Sequence, residues 1–389
     1  MVSTEAPTIQ AGDWTDTVGP KGGKDATKYY RLKRTIPGST MAVSAIYQPE
    51  TNVEDMVDVD LTSANGRVCA SGTGYHQSGA FSSATAVTGL RDEGCAGGEM
   101  VVEVSHDELY AAKQPRKVQL KVTEVPPVTN ISSLPEAPRD GLAKAPAIGT
   151  PTPMTGGKSL SSAAAVEAGK TYSGTIAGND VQTFKVPVGN GQRLATTLKF
   201  PKISDQLAAP FNDLPLDQSW RSTITVLSPD GRRVGRDVTL YLGSIDATAE
   251  VGTGTVATRN LANNVPDNWL AGYYTVVVSL EGPAGKKTPA VPFAFATDVT
   301  GSITPAPEYA AEGLAPSSSA SPSDVETTSP APSSEGSASA SAESSATQET
   351  SSETASAEQG SSALPVVLGA GGLALVAGGI ALALRNRRR

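Results

Sequence analysis

AGDWTDTVGPKGGKDATKYYRLKRTIPGSTMAVSAIY, residues 11–47, and EAGKTYSGTIAGNDVQTFKVPVGNGQRLATTLKF, residues 167–200, are written on one plan. Each runs from Ala-Gly into a short polar strand, a Gly-rich turn, an aromatic strand (KYYRLKRT, VQTFKVPV), a second Gly turn and a further apolar strand. The likeness continues downstream. VDVDLTSANGRVCA (57–70) matches ITVLSPDGRRVG (224–235), a strand running into an Asn-Gly or Asp-Gly turn. CAGGEMVVEVSHDELYAAKQPRKVQLKVTEV (95–125) matches LAGYYTVVVSLEGPAGKKTPAVPFAFATDV (270–299), and the spacing predicts a hairpin in each. Three blocks in one order make internal duplication the main architectural signal.

The strands themselves follow from period-2 alternation. Val118, Leu120 and Val122 alternate with Lys117, Gln119 and Lys121, and Val57, Val59 and Leu61 with Asp58 and Asp60. One buried and one wet face is the pattern of an antiparallel sandwich. No long stretch carries a helical period. The chain therefore reads as all-β, with two tandem jelly-roll-like sandwich modules at 5–126 and 155–302. A Pro-rich linker at 127–154 reads as an extended, semi-rigid spacer. Insertions around 201–219 and 236–266 enlarge the second module.

Composition changes sharply after residue 302. Residues 303–362 hold nine acids, no Lys or Arg, and mostly Ser, Ala, Thr and Pro, so they cannot bury a core and read as a disordered stalk. LPVVLGAGGLALVAGGIALAL (364–384) follows, long enough as a helix over 363–384 for one bilayer crossing. Arg385, Arg387, Arg388 and Arg389 end the chain in a basic tail at 385–389. The positive-inside rule keeps that tail cytoplasmic and puts the modules outside the cell, on a single-pass anchor in the cell membrane. Ala370, Ala374 and Gly378 form a row of small residues on which a second helix could pack. The start, MVSTEAPTIQAGDW, has neither a basic n-region nor an apolar core and is not a signal peptide. Export then implies a fragment or a misplaced start. The alternative, insertion by the C-terminal helix alone, would reverse the orientation.

The formal net charge is −8, but the stalk carries much of it and the modules are near neutral. They show no basic stripe for nucleic acid. Cys69 and Cys95 are the only cysteines. In an exported chain an isolated pair reads as a disulfide, worth roughly 3 kcal/mol in the chain-entropy treatment. With His76 and His106 the only histidines, the two thiols make a poor zinc set.

Catalytic patterns are sparse. His106 has Asp107 beside it, but a sequence neighbour is not a triad, and neither G-x-S-x-G nor H-E-x-x-H occurs. GNGQRL (189–194) lacks the Lys-Ser/Thr of a phosphate loop. Asp58 and Asp60, preceded by Glu54 and Asp55, are candidate calcium ligands; the competing reading is the wet face of a half-buried strand. Trp14, Trp220, Trp269, Tyr273 and Tyr274 could form a glycan platform, although large aromatics in sandwiches are more often core. Asn65-Gly66 and Asp230-Gly231 fall at equivalent places and read as hairpin turns. No residue is assigned to catalysis and no cofactor is expected.

The module layout resembles the bacterial pre-peptidase C-terminal-like β-sandwiches. The whole body is similar to the membrane-proximal half of actinobacterial von Willebrand factor A (VWA) surface proteins, through the opening at 11–43, GGKSLSSAAAVEAGKTYSGTIAGNDVQTFKVPV, LKFPK, WLAGYYTVVVSLEG and PFAFATDVTG. That resemblance implies a non-catalytic, extracellular protein that presents or supports a partner, either a VWA domain or another envelope protein. The VWA metal-site run Asp-x-Ser-x-Ser is absent, so metal-dependent adhesion does not transfer. A glycan- or protein-binding adhesion module and a cell-wall hydrolase with an unrecognised site are the alternative readings.

Overall fold

The computed structural model describes residues 6–310, apart from 21, 24, 48–54, 77–81, 90–92, 96, 109–114, 139–140, 213, 215–218, 264–266 and 284–285, and apart from the side chains of 55, 75, 76, 82, 93 and 106–108. Most of the expected stalk, the apolar run at 364–384 and the Arg tail lie outside this set. Among the described residues no helix is long and apolar enough to cross a membrane.

Among the described residues module 1 has nine strands: β1 (Thr8–Ile9), β2 (Gly12–Val18), β3 (Thr27–Lys33), β4 (Thr40–Tyr47), β5 (Asp55–Ser63), β6 (Val68–His76), β7 (Ser82–Val87), β8 (Glu99–Glu108) and β9 (Arg116–Val125). Module 2 follows with β10 (Thr152–Pro153), β11 (Ala164–Ala165), β12 (Lys170–Ile176), β13 (Asp180–Val188), β14 (Arg193–Phe200), helix α1 (Asp205–Asn212), β15 (Arg221–Leu227), β16 (Arg233–Leu240), β17 (Ala247–Gly252), helix α2 (Arg259–Ala262), β18 (Gly272–Glu281) and β19 (Val291–Thr300). The sheets of module 1 are ordered β1-β3-β8-β5-β6 and β2-β9-β4-β7. Those of module 2 are β11-β13-β18-β15-β16 and β10-β12-β19-β14-β17. Strand for strand the orders are the same, with β10 added. Even the short parallel edge strand recurs, β1 beside β3 and β11 beside β13. The duplication is structural.

Most consecutive strands lie in opposite sheets, the winding of a jelly roll. This corrects one expectation. The stretches 95–125 and 270–299 are not hairpins: β8 and β9 belong to different sheets, as do β18 and β19. Alternation shows that one face of a strand is buried, and two strands facing each other across a core show it as well as two lying side by side. The true hairpins are β5–β6 and β15–β16.

Inward residues fill each core. In module 1, Leu32, Val43, Val59, Val102 and Leu120 are fully or almost fully buried. Module 2 uses rings. Phe184 and Phe295 lie 4.3 Å apart, and Phe211 meets Trp220 and Tyr241 edge-on. Phe211 comes from α1, a short helix containing Pro210 that buries only Ala208 and Phe211. Eight residues interrupted by proline give too few turns to show a helical period. The segment 236–266 is also less of an insertion than expected, since it contains β17, the counterpart of β7.

The linker differs from a free spacer. The Ala143 N–H donates to Thr253 O at 3.0 Å, Gly149 N–H to Thr171 Oγ1 at 3.0 Å, and Thr197 Oγ1 to Pro146 O at 2.6 Å. Leu134 is buried, and Thr152–Pro153 adds a strand beside β12. The prolines keep the segment extended, and the outer face of module 2 supplies partners for its free backbone groups. Tyr309 returns to form a bridge with Val128, so residues 303–310 stay on the body.

Candidate functional site

Two features have functional potential: the turn that joins the modules, together with its exposed counterpart in module 1, and a polar cleft in module 2.

The β15–β16 turn is Ser228-Pro229-Asp230-Gly231-Arg232. Ser228 N–H donates to Arg232 O at 2.8 Å, Gly231 N–H to Ser228 O at 2.8 Å, and the Ser228 hydroxyl to Asp230 Oδ1. Gly231 supplies φ 87°, a conformation L side chains resist. The turn is buried against module 1. Ser44 Oγ on β4 donates to Asp230 O at 2.6 Å, and Ser83 Oγ on β7 donates to Gly231 O at 2.8 Å. Asp230 is fully buried, and its Oδ2 accepts from Trp269 Nε1 at 3.0 Å. Ile46 of module 1 packs beside the turn with Val181, Leu227 and Val277, which line the outer face of β13, β15 and β18. A second seam holds Val125 against Leu261, Trp269 and Leu270. The two modules are therefore one packed body.

The β5–β6 turn of module 1 has the same chemistry. Ser63 N–H donates to Arg67 O at 2.8 Å, Gly66 N–H to Ser63 O at 2.9 Å, and Ser63 Oγ to Asn65 Oδ1 at 2.5 Å, with Gly66 at φ 86°. Here, however, Ala64, Asn65, Gly66 and Arg67 are exposed. Immediately after the turn, Cys69 is bonded to Cys95, with Cα atoms 5.7 Å apart. The disulfide expected from the sequence is formed, and it ties the start of β6 to the short 3-10 turn Glu93–Cys95. Module 2 has Val234 at the equivalent place. The faces beside the two turns differ too. Where module 2 has Val277, module 1 has Glu103 on the outer face of β8; Asp60 lies opposite it on β5 and Tyr29 on β3. Burial, then the Asp60 charge, raises the Glu103 carboxyl above its ordinary value. Tyr29, 41% exposed, is raised by burial and by Glu103.

The cleft, about 510 Å³, lies between the linker and the β17–β18 connection. Its wall includes Glu136, Thr255, Asn260, Asn263, Asp267 and Asn268. Asn260 braces it, its Nδ2 lying 3.1 Å from Thr255 O and 3.2 Å from the carbonyls of Asp267 and Asn268. Arg259 Nη2 holds Glu136 at 2.8 Å. Asn268 and Thr255 are 6% and 5% exposed, yet Asn268 Oδ1 and Thr255 Oγ1 have no hydrogen-bond partner. Asn268 also sits at φ 54°, a region few residues other than glycine adopt.

The structure scatters most of the residues singled out from the sequence. Asp58 and Asp60 share the outer face of β5, and Asp58 Oδ1 accepts from Thr73 Oγ1 at 2.6 Å. Among the described residues no group of three or more His, Cys, Asp or Glu is arranged to hold a metal ion. The backbones of His76 and His106 end β6 and run in β8; their side chains lie outside the described set. The aromatic platform is not formed, because Trp220, Trp269 and Tyr274 are core residues. Trp14 is 37% exposed, and Tyr273 lies under Lys185 Nζ at 5.1 Å. The cleft residues went unnoticed in the sequence because isolated Asn and Thr in a loop read as solvated turn.

No known family's sequence profile matches the chain, and no curated protein matches it. Among solved structures it is similar to the pre-peptidase C-terminal domain of collagenase from Bacillus anthracis, at 13% identity, covering 31% of this chain and 98% of that one, with a TM-score of 0.22. It is also similar to the CUB1-EGF-CUB2 region of human MASP-1/3, at 9% identity over 73% of this chain and 99% of that one, TM-score 0.17. N-glycanase F (PNGase F) matches at 8% identity over 74% of this chain and 99% of that one, TM-score 0.21.

Proposed function

We propose that this is a non-catalytic surface protein of the bacterial envelope, whose two packed sandwiches form a rigid body that supports a partner domain. One observation carries the reading: the turn that docks module 2 onto module 1 recurs in module 1 with the same internal hydrogen bonds, yet stands exposed. A partner seated there would repeat the existing seam, with hydroxyls of its own taking the role of Ser44 and Ser83. Because Glu103 stands where module 2 has the apolar Val277, and Asp58 and Asp60 stand where it has Thr223 and Thr225, that partner carries a basic face, and its attachment weakens with salt. A VWA-domain protein or another envelope protein is the expected partner. The contact does not extend to nucleic acid, whose phosphates the acidic face repels. The cell membrane is the second partner: the apolar run within 363–384 is long enough for one crossing and would anchor the chain in a single pass, with the modules extracellular and Arg389 cytoplasmic.

Protease added to intact protoplasts should remove both modules and leave a small anchored C-terminal fragment. Protected modules, with a C-terminal tag cleaved instead, would reverse the orientation and remove the surface role.

A further inference from the structure

We infer that the cleft between the linker and the β17–β18 connection binds a neutral, hydroxyl-rich ligand of sugar size. The space, about 510 Å³, falls within the range of small-molecule sites, roughly 300–1,000 Å³. Buried polar atoms are nearly always paired, yet two residues of this one wall, Asn268 and Thr255, each hold an unpaired oxygen, Oδ1 and Oγ1, buried beneath the cleft surface, so each side chain turns toward the cleft when a ligand pairs with it. Leaving each unpaired costs about 1–3 kcal/mol. A ligand that satisfies the two side chains explains why the fold carries both costs at one place.

The chemistry of the wall selects the ligand. Asn263 and Asn268 contribute carboxamides, each with an acceptor oxygen and a donor NH₂, whereas the Asn260 NH₂ is held by the wall's own carbonyls. That pairing matches vicinal hydroxyls, which both donate and accept. Rotating the Asn268 amide about χ2 exchanges its two ends, so it can meet either need. Glu136 and Asp267 accept further hydroxyl protons and repel anions. Among the described residues the lining has no Lys or Arg to clamp a phosphate or carboxylate, since the neighbouring Arg259 is committed to Glu136 and Leu134 O. Ala137 and Pro138 give a small apolar patch, enough for one C–H face of a sugar ring and too little for a lipid or aromatic ligand. The inference does not depend on which way the chain crosses the membrane.

The test is a calorimetric titration of the full-length protein, in a detergent without a sugar headgroup. The probes are glucose, galactose, mannose and N-acetylglucosamine, each as monosaccharide and linear disaccharide. At least one should bind saturably at one site per chain, unaffected by EDTA. Asn268→Gly keeps the left-handed backbone without strain and deletes the amide; Thr255→Val deletes the orphan hydroxyl at nearly constant shape. Both should weaken binding at least tenfold while melting at or above the wild-type temperature, because each removes an unpaired buried atom. Absence of saturable binding to every probe, binding that requires calcium, binding that survives Asn268→Gly, or lowered melting in both variants would overturn the inference.

Discussion

Gly231→Arg should separate the two sandwiches while leaving each folded. A Cβ at this position would lie 2.8 Å from Ser44 Cβ and 2.9 Å from Ser44 Oγ, on backbone at φ 87°. The side chain therefore has to leave the seam, and the turn goes with it. The hydrogen bonds from Ser44 and Ser83 break, and Ile46, Val181, Leu227 and Val277 return to water. Re-exposing a buried aliphatic side chain costs roughly 1.5–3 kcal/mol, so a loss equivalent to two of them is about 3–6 kcal/mol. Gly66→Arg is the internal control. Gly66 has the same backbone, φ 86°, and a Cβ added there would meet nothing within 4 Å. It should cost only the left-handed penalty of roughly 1–2 kcal/mol. Small-angle scattering and calorimetry distinguish the two: an extended particle with two melting transitions for Gly231→Arg, the wild-type profile slightly downshifted for Gly66→Arg. Equal effects would mean that the Asp230-Gly231 turn does not hold the modules together.

The second large effect is on the Cys69–Cys95 bond. The double variant Cys69→Ala/Cys95→Ala should lose about 3 kcal/mol, the entropy returned to the unfolded chain by opening a loop of this size. That corresponds to a melting temperature lower by roughly 10 °C. The loss should fall on module 1, since the bond joins β6 to the Glu93–Cys95 turn, both within that module. Hydrogen exchange should then rise in residues 63–76 and stay unchanged in 221–240. Uniform loosening of both modules would place the role of the bond elsewhere.

The strands and their duplication were legible because alternation and Gly turns are local. Residues 27–33 and 180–188 occupy equivalent strands, as do 55–63 and 221–227. Sheet membership was not legible: Val102 on β8 and Leu120 on β9 read as neighbours in a hairpin, whereas they face one core from opposite sheets. Nor could the fate of the two turns be read. Asn65-Gly66 and Asp230-Gly231 have the same chemistry, and what buries one of them is a pair of serines on β4 and β7, far away along the chain. The same distance effect hid the cleft, whose wall joins Glu136 of the linker to Asn260 and Asn268. For Trp220, Trp269 and Tyr274 the core reading holds; what the sequence did not show is the buried carboxylate of Asp230 that takes the Trp269 Nε1 hydrogen and allows that ring into the interior.

The proposal that the exposed turn seats a partner domain is tested most directly by placing a photo-crosslinking residue at Asn65 in intact cells, with Leu142, 71% exposed, as the control position. The account predicts one discrete adduct from position 65, identified by mass spectrometry as an envelope protein with a basic docking face, lost at high salt and in Gly66→Arg, and absent from position 142. No adduct from position 65, or the same adducts from both positions, would contradict it.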